Sequence, residues 1–309
     1  MTTVDTRDRG SRDGDARQGN ARKRRISRGG WIGLAFVLPV FVLFLAFRFG
    51  PALGGVLLSF ANYTVGGSLE WKGLLNYQRL IADPGFWNAL RVTLVYALIS
   101  VPLTIVAATG LALLTRRAFR GARLYRSVFF LPVVTSLILA GVVFTWIFSV
   151  DGPWSSILES VGFPVTNWLE SSTFALPAVA LVGVWTRFGY GVLIMLAKLQ
   201  EVPKELEEAA LMDGAGPWQR FRRIVLPELR PAIFFLIVIE TTFSFQAFDT
   251  IYVMTSGGPV DATYTLVFSL YRESFANFDF GYAGAIGVVL FVLTLIVALI
   301  QRIVFGKES

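Results

Sequence analysis

The sequence predicts an all-α membrane protein with six transmembrane helices and both termini in the cytoplasm. Three observations lead there. Of 309 residues, 54% are hydrophobic and only 16% charged, where a soluble domain carries about a quarter charged residues. Six apolar runs, near 31–49, 86–114, 124–149, 174–199, 230–253 and 281–304, are each close to the ~20 helical residues that span a bilayer core. The cations between those runs collect in alternate loops.

Residues 1–30 are polar, rich in Arg, Asp and Gly, and lack apolar periodicity, which predicts a disordered basic tail. Nine of the 28 Lys and Arg lie in this stretch, with Arg22-Lys23-Arg24-Arg25 and Arg28 against the first run. A cleaved signal peptide would have a shorter tail and a small-residue cleavage site, so the run from Trp31 reads as a retained anchor. The 115–123 loop carries Arg116, Arg117, Arg120 and Arg123, with Arg126 just beyond. The 200–229 loop carries Lys204, Arg220, Arg222 and Arg223. By contrast, 150–173 has no Lys or Arg, and 254–280 has Arg272 alone. The positive-inside rule therefore places the tail, both basic loops and the C-terminus in the cytoplasm, and residues 31–306 form one six-span domain. A net charge of +7 spent on helix flanks does not indicate nucleic acid, because no basic surface interleaved with aromatics accompanies it.

Composition also excludes chemistry. The chain has no Cys and no His, hence no thiol nucleophile, no imidazole base and none of the commonest metal ligands. No Walker A loop is present, since Gly306-Lys307 is followed by Glu308. No catalytic, cofactor or metal site is expected.

The informative polar insert is the 200–229 loop. Pro203 suits the start of a helix, and Glu205, Glu207 and Glu208 place negative charge where the helix dipole favours it. Leu206, Ala209, Ala210 and Asp213 fall on one helical face, kept flat by the two alanines. Gly214 is a natural C-cap. A second amphipathic segment, Trp218 to Ile224, precedes Pro227. By amphipathicity alone this is either an interfacial connector or a docking helix for a soluble partner.

The spacing Glu208-Ala209-Ala210, Gly214, Ile224-x-Leu226-Pro227 resembles the EAA coupling loop of ATP-binding-cassette importer permeases. Phe248-Asp249-x-Ile251-Tyr252-Val253-Met254-Thr255-x-Gly257-Gly258-Pro259, then Thr263 and Thr265-Leu266, is similar to the external end of span five in the carbohydrate-uptake, maltose/glycerol-phosphate-permease-like branch. Pro51, Ser59-Phe60 and Asn76-Tyr77 also look like that branch, so the resemblance covers about residues 31–306. It implies a type I importer permease fold, forming half of a pore. It further implies a second homologous permease, two ATPase subunits that bind ATP and Mg, and an extracytoplasmic solute-binding protein. Glu205, Leu206, Glu208, Ala209, Ala210, Asp213 and Gly214 would then couple the pore to the ATPase. A sugar, polyol or sugar phosphate would be the cargo.

Charges inside spans are costly and mark function by default. Arg187 lies midway along span four, on a face with Tyr190, Ile194 and Lys198. Glu240 lies in span five with Ser244, and Thr242, Gln246 and Asp249 fall on nearly the opposite side. Arg187, Tyr190, Glu240, Ser244, Gln246 and Asp249 are the substrate-path candidates. An Arg187–Glu240 ion pair joining two spans is the alternative for the two charges. Phe243, Phe245 and Phe248 read mainly as packing, and Gly281, Gly284 and Gly287 as close helix contacts. A self-sufficient secondary transporter or channel is the competing class; it would need interrupted helices in two repeats, and no repeat is visible.

Overall fold

The computed structural model describes residues 28–63, 68–116, 122–163 and 167–305. The predicted tail (apart from Arg28 onward), Arg117, Arg120 and Gly306 lie outside them. The chain divides into two units, residues 1–51 and 52–309. The first holds α1 (Arg28–Phe44) and a π-helical turn, Leu45–Phe49, leading into α2 (Gly50–Leu58). Side chains 35 to 50 are all exposed.

In the larger unit, a short hairpin pairs β1 (Ala61–Asn62) antiparallel to β2 (Glu70–Trp71), with Ala61 opposite Trp71. It is pinned to α3 (Leu75–Ala82) by Asn76, whose amide donates to the carbonyls of Ser59 and Ala61 at 3.0 and 2.9 Å. Next come α4 (Pro84–Thr115), α5 (Ala122–Val134), α6 (Leu137–Ile147), α7 (Pro153–Ser160) and α8 (Ala175–Glu201). After them follow α9 (Lys204–Met212), α10 (Pro217–Arg220), α11 (Leu226–Phe245), α12 (Asp249–Met254), α13 (Leu266–Phe275) and α14 (Phe280–Phe305).

Four described stretches are long and apolar enough to cross a membrane: Ala35–Leu58, Pro84–Thr115, Ala175–Glu201 and Phe280–Val304. Residues 127–134 and 137–147 make a fifth if the bent pair counts as one span. α11 carries Glu228, Arg230 and Glu240 within 20 residues, and its apolar character is correspondingly weaker.

Three runs depart from the expected straight spans. The first extends past Pro51 to Leu58, because the chain accommodates proline by widening one turn. Gly50 N–H donates to Leu45 O, five residues back, so the missing N–H of Pro51 breaks no α-helical register. The same device recurs before Pro227, where Leu226 N–H reaches Phe221 O across the π turn Phe221–Val225. The third run is not one helix but two, bent by 105°. Pro132 lacks a donor there, Thr135 N–H tightens onto Pro132 O at 3.1 Å, and Ser136 is extended. The fifth run stops at Phe245 and restarts at Asp249, with the Ala247 carbonyl at the break accepting from Thr265 Oγ1 at 3.2 Å.

α4 and α8 form the central pair, with α11 against both. Small residues allow the approach: Ala89, Ala108 and Ala112 of α4 and Ala178 and Ala180 of α8 are fully buried. Gly189 of α8 is obligatory, since a Cβ there would stand 2.2 Å from the Phe129 carbonyl oxygen of α5. On α14, a Cβ at Gly281 or Gly284 would meet the Ala61 or Gly55 carbonyl at 2.2 or 2.8 Å. Tyr282 of the same helix donates to Asp83 Oδ2.

The apolar interior separates into two clusters. One contains Phe86, Val92, Val179, Val182, Ile251, Leu266 and Ile286. The other contains Ala108, Val192, Met195, Leu199, Leu229 and Leu236. Between them along α4, α8 and α11 lie the buried polar residues Ser100, Thr104, Thr186, Glu240, Thr241 and Ser244.

Candidate functional site

Between the clusters lies a polar belt. Arg187 Nε and Nη2 donate to Glu240 Oε2 and Oε1 at 2.6 and 3.0 Å, a two-pronged pair between α8 and α11. The Glu240 side chain is only 3% exposed, that of Arg187 27%. The Arg187 guanidinium also sits 3.5 Å above the centre of the Phe243 ring, which supplies attraction where water is scarce. One turn on, Ser244 Oγ donates to Glu240 O at 2.8 Å and meets Ser100 Oγ of α4 at 2.9 Å. Gln301 of α14 donates to Thr241 Oγ1 at 2.9 Å.

Beside the pair opens a cavity of about 450 Å³, walled by Thr135, Thr186, Arg187, Tyr190 and Phe243. Of the six substrate-path candidates, Arg187 and Tyr190 line it. Glu240 stands behind Arg187 and is buried. Ser244 faces α4. Gln246 and Asp249 are exposed at the break between α11 and α12, so the continuous face expected for Thr242, Gln246 and Asp249 does not exist. The break at Thr135 and Ser136 contributes a wall that apolar periodicity could not reveal. Phe243, read as packing, lines the cavity under Arg187. A second cavity of about 410 Å³ is lined by Thr145, Asn167, Glu170, Thr255, Ser256 and Pro259.

The α9 loop is built differently. Pro203 caps the helix rather than opening it, and Glu205 and Glu207 fall in the first turn. The helix ends in a complete Schellman closure: Gly214 N–H donates to Leu211 O at 3.0 Å and Ala215 N–H to Ala210 O at 2.9 Å. Gly214 makes this possible at φ +76, a conformation costly for any residue with a Cβ.

No residue of α9 is buried. Glu205, Leu206, Glu208, Ala209, Asp213 and Gly214 are exposed, and Ala210 is half-buried. Met212 is 87% exposed and Trp218 of the following turn 70%. Leu206, Leu211 and Met212 are thus exposed on a helix that also carries Lys204, Glu205 and Glu208. Glu207 is turned the other way, toward Arg116 at the end of α4, with Nη1 to Oε1 at 2.5 Å. That contact joins two loops that were both read as basic, which no local pattern could pair. Among the described residues, no three metal-ligating side chains cluster.

Comparison with known proteins places this architecture. Residues 100–307 match the family model described as "binding-protein-dependent transport system inner membrane component". The chain is 35% identical, over 93% of its length and 94% of the relative's, to the probable ABC transporter permease protein YesP of Bacillus subtilis. It is 34% identical to the sn-glycerol-3-phosphate transport system permease protein UgpA of Yersinia pestis, covering 88% of this chain and 92% of the other. Its fold is similar to a chain of a bacterial ABC transporter involved in the import of the acidic polysaccharide alginate, with a TM-score of 0.79 at 22% identity over 90% of this chain and 96% of that one. The chain belongs to the binding-protein-dependent transport system inner membrane components, multi-pass permease subunits of ABC transporters that leave ATP hydrolysis to separate subunits.

Proposed function

We propose that the chain forms half of the pore of an ATP-driven importer for a sugar, polyol or sugar phosphate. The exposed α9 helix carries this reading: Leu206, Glu208, Ala209 and Asp213 are exposed on it and suited to an ATPase surface. A second homologous permease completes the pore, two ATPase subunits bind ATP and Mg, and an external binding protein delivers the solute. The relatedness to a glycerol-phosphate permease supports the cargo class.

In this reading α11 is span five and brings the number of spans to six. Its buried Glu240 is tolerable in the membrane because Arg187 satisfies both carboxylate oxygens. Loop charge puts both termini and α9 in the cytoplasm. ATP closes the ATPase dimer, α9 moves with it, and the cavity beside Arg187 opens outward to receive solute. Hydrolysis and reopening reset it inward. The polar wall of Thr135, Thr186 and Tyr190 suits a hydroxylated solute passing between apolar layers.

Co-expression with the partner subunits tests the reading. Native mass spectrometry of the purified complex should show this chain, a second permease and two ATPase copies. Glu208→Lys should abolish ATP-driven uptake of the solute retained by the external subunit. Undiminished uptake in that variant would sink the coupling role of α9.

A further inference from the structure

We propose that Arg116 is a positioning residue that ties α9 to the end of α4, so that a displacement of α9 is delivered to the central helix pair. The proposal rests on the permease reading above and adds the route by which force leaves the docking helix.

The geometry points this way for three reasons. First, among the described residues α9 packs little against the rest of the chain. Its chain connections are the extended Val202-Pro203 and the Gly214-Ala215-Gly216 turn, and none of its residues is buried. Both connections are non-helical, so α9 continues neither α8 nor α10. Second, the lateral contact is enclosed. The Arg116 and Glu207 side chains are 21% and 24% exposed, and Glu207 Oε1 is itself buried with no hydrogen-bond partner. The guanidinium charge 2.5 Å away is what compensates that oxygen, and separating the two would leave this one buried oxygen uncompensated. Third, the receiving end is stiff. Arg116 follows Thr115, which is 2% exposed and donates to Leu111 O at 2.8 Å. One turn back, Ala112 is fully buried in the cluster with Met195 and Leu199 of α8.

The sides of α9 divide the work. Leu206, Ala209 and Asp213 form the open face, whereas Glu207 and the half-buried Ala210, three residues apart, turn toward the chain. Load applied to one side passes through the other into α4, and α4 packs along α8, which carries Arg187 and Tyr190 on the cavity wall.

The chain contains no cysteine, so Thr135→Cys places a single thiol of this subunit on the cavity wall. In membranes holding the complete complex, its maleimide labelling rate is compared without nucleotide and with ATP plus vanadate. The expected ratio between the two states is about fivefold or more, the lower range of coupling between linked sites. Adding Arg116→Ala should bring the ratio close to one while ATP hydrolysis and co-purification of the partners persist. Arg116→Lys should restore part of it, and the exchange Arg116→Glu with Glu207→Arg most of it. An unchanged ratio in Arg116→Ala, an exchange no better than the single variant, or loss of the ATPase subunits from Arg116→Ala would each overturn the proposal. No nucleotide response in the Thr135→Cys parent would overturn the permease reading itself, and this proposal with it.

Discussion

At the scale of single residues, the asymmetry of the Arg187–Glu240 pair decides what each substitution does. Glu240 is enclosed and Arg187 borders a cavity. Arg187→Ala strands a buried carboxylate, and the loss expected for breaking such a pair is about 3–5 kcal/mol. Glu240→Gln keeps an acceptor for the guanidinium and leaves the arginine its ring contact and its access to the cavity, so it should cost clearly less. Thermal unfolding in detergent checks the ranking; equal losses, or the reverse order, would show that the pair is not held as described. Arg187→Lys should not restore stability, because a lysine cannot supply the two parallel donors that meet both oxygens. A steric case stands nearby. Gly189→Ala puts a methyl group 2.2 Å from the Phe129 carbonyl, and overpacking of this kind costs about 1–3 kcal/mol, visible as a lower unfolding temperature or a loss of monodisperse protein.

At the scale of elements, α9 stands or falls with its C-cap. Gly214→Ala forces a Cβ into the left-handed region, a penalty of about 1–2 kcal/mol, and opens the two hydrogen bonds that close the helix. Because α9 lies outside the core, the global unfolding temperature should move little while ATP-driven uptake falls severalfold. Uptake equal to the parent would contradict the role given to the cap.

That cap was readable from sequence because it depends only on near neighbours: a flat small-residue helix followed by glycine. The two membrane charges were readable for a similar reason, standing out against apolar runs, and their pairing across 53 residues was one of the two readings the sequence left open. Breaks were harder. Pro132 marked the third run, yet the 105° turn depends on Thr135 and Ser136. Nothing local marks the interruption after Phe245, which is stabilised by Thr265 from a later loop. Ser244, chosen as a pathway residue, went instead to Ser100 of α4, a choice made by packing between helices. The Arg116–Glu207 contact is not legible in the sequence because each residue has a local explanation, one as a topogenic cation and the other as a first-turn acid.

At the scale of the whole molecule, the six-span topology rests on α11 crossing the membrane despite its three charges. The absence of cysteine makes this directly measurable. Met212→Cys on α9 should be labelled by a membrane-impermeant maleimide only from the cytoplasmic side, and Val260→Cys, at a residue 95% exposed, only from the outside. Labelling of both from one side would mean that α11 does not cross. The central claim is that the pore is incomplete by itself and is driven through α9 by ATP hydrolysed elsewhere. Uptake into proteoliposomes tests it most directly, using the solute retained by the external binding protein. The complete complex should accumulate that solute only with ATP supplied to the ATPase side, and the chain alone should transport none with or without nucleotide. Transport by the chain alone, or ATP-independent accumulation by the complex, would contradict the account.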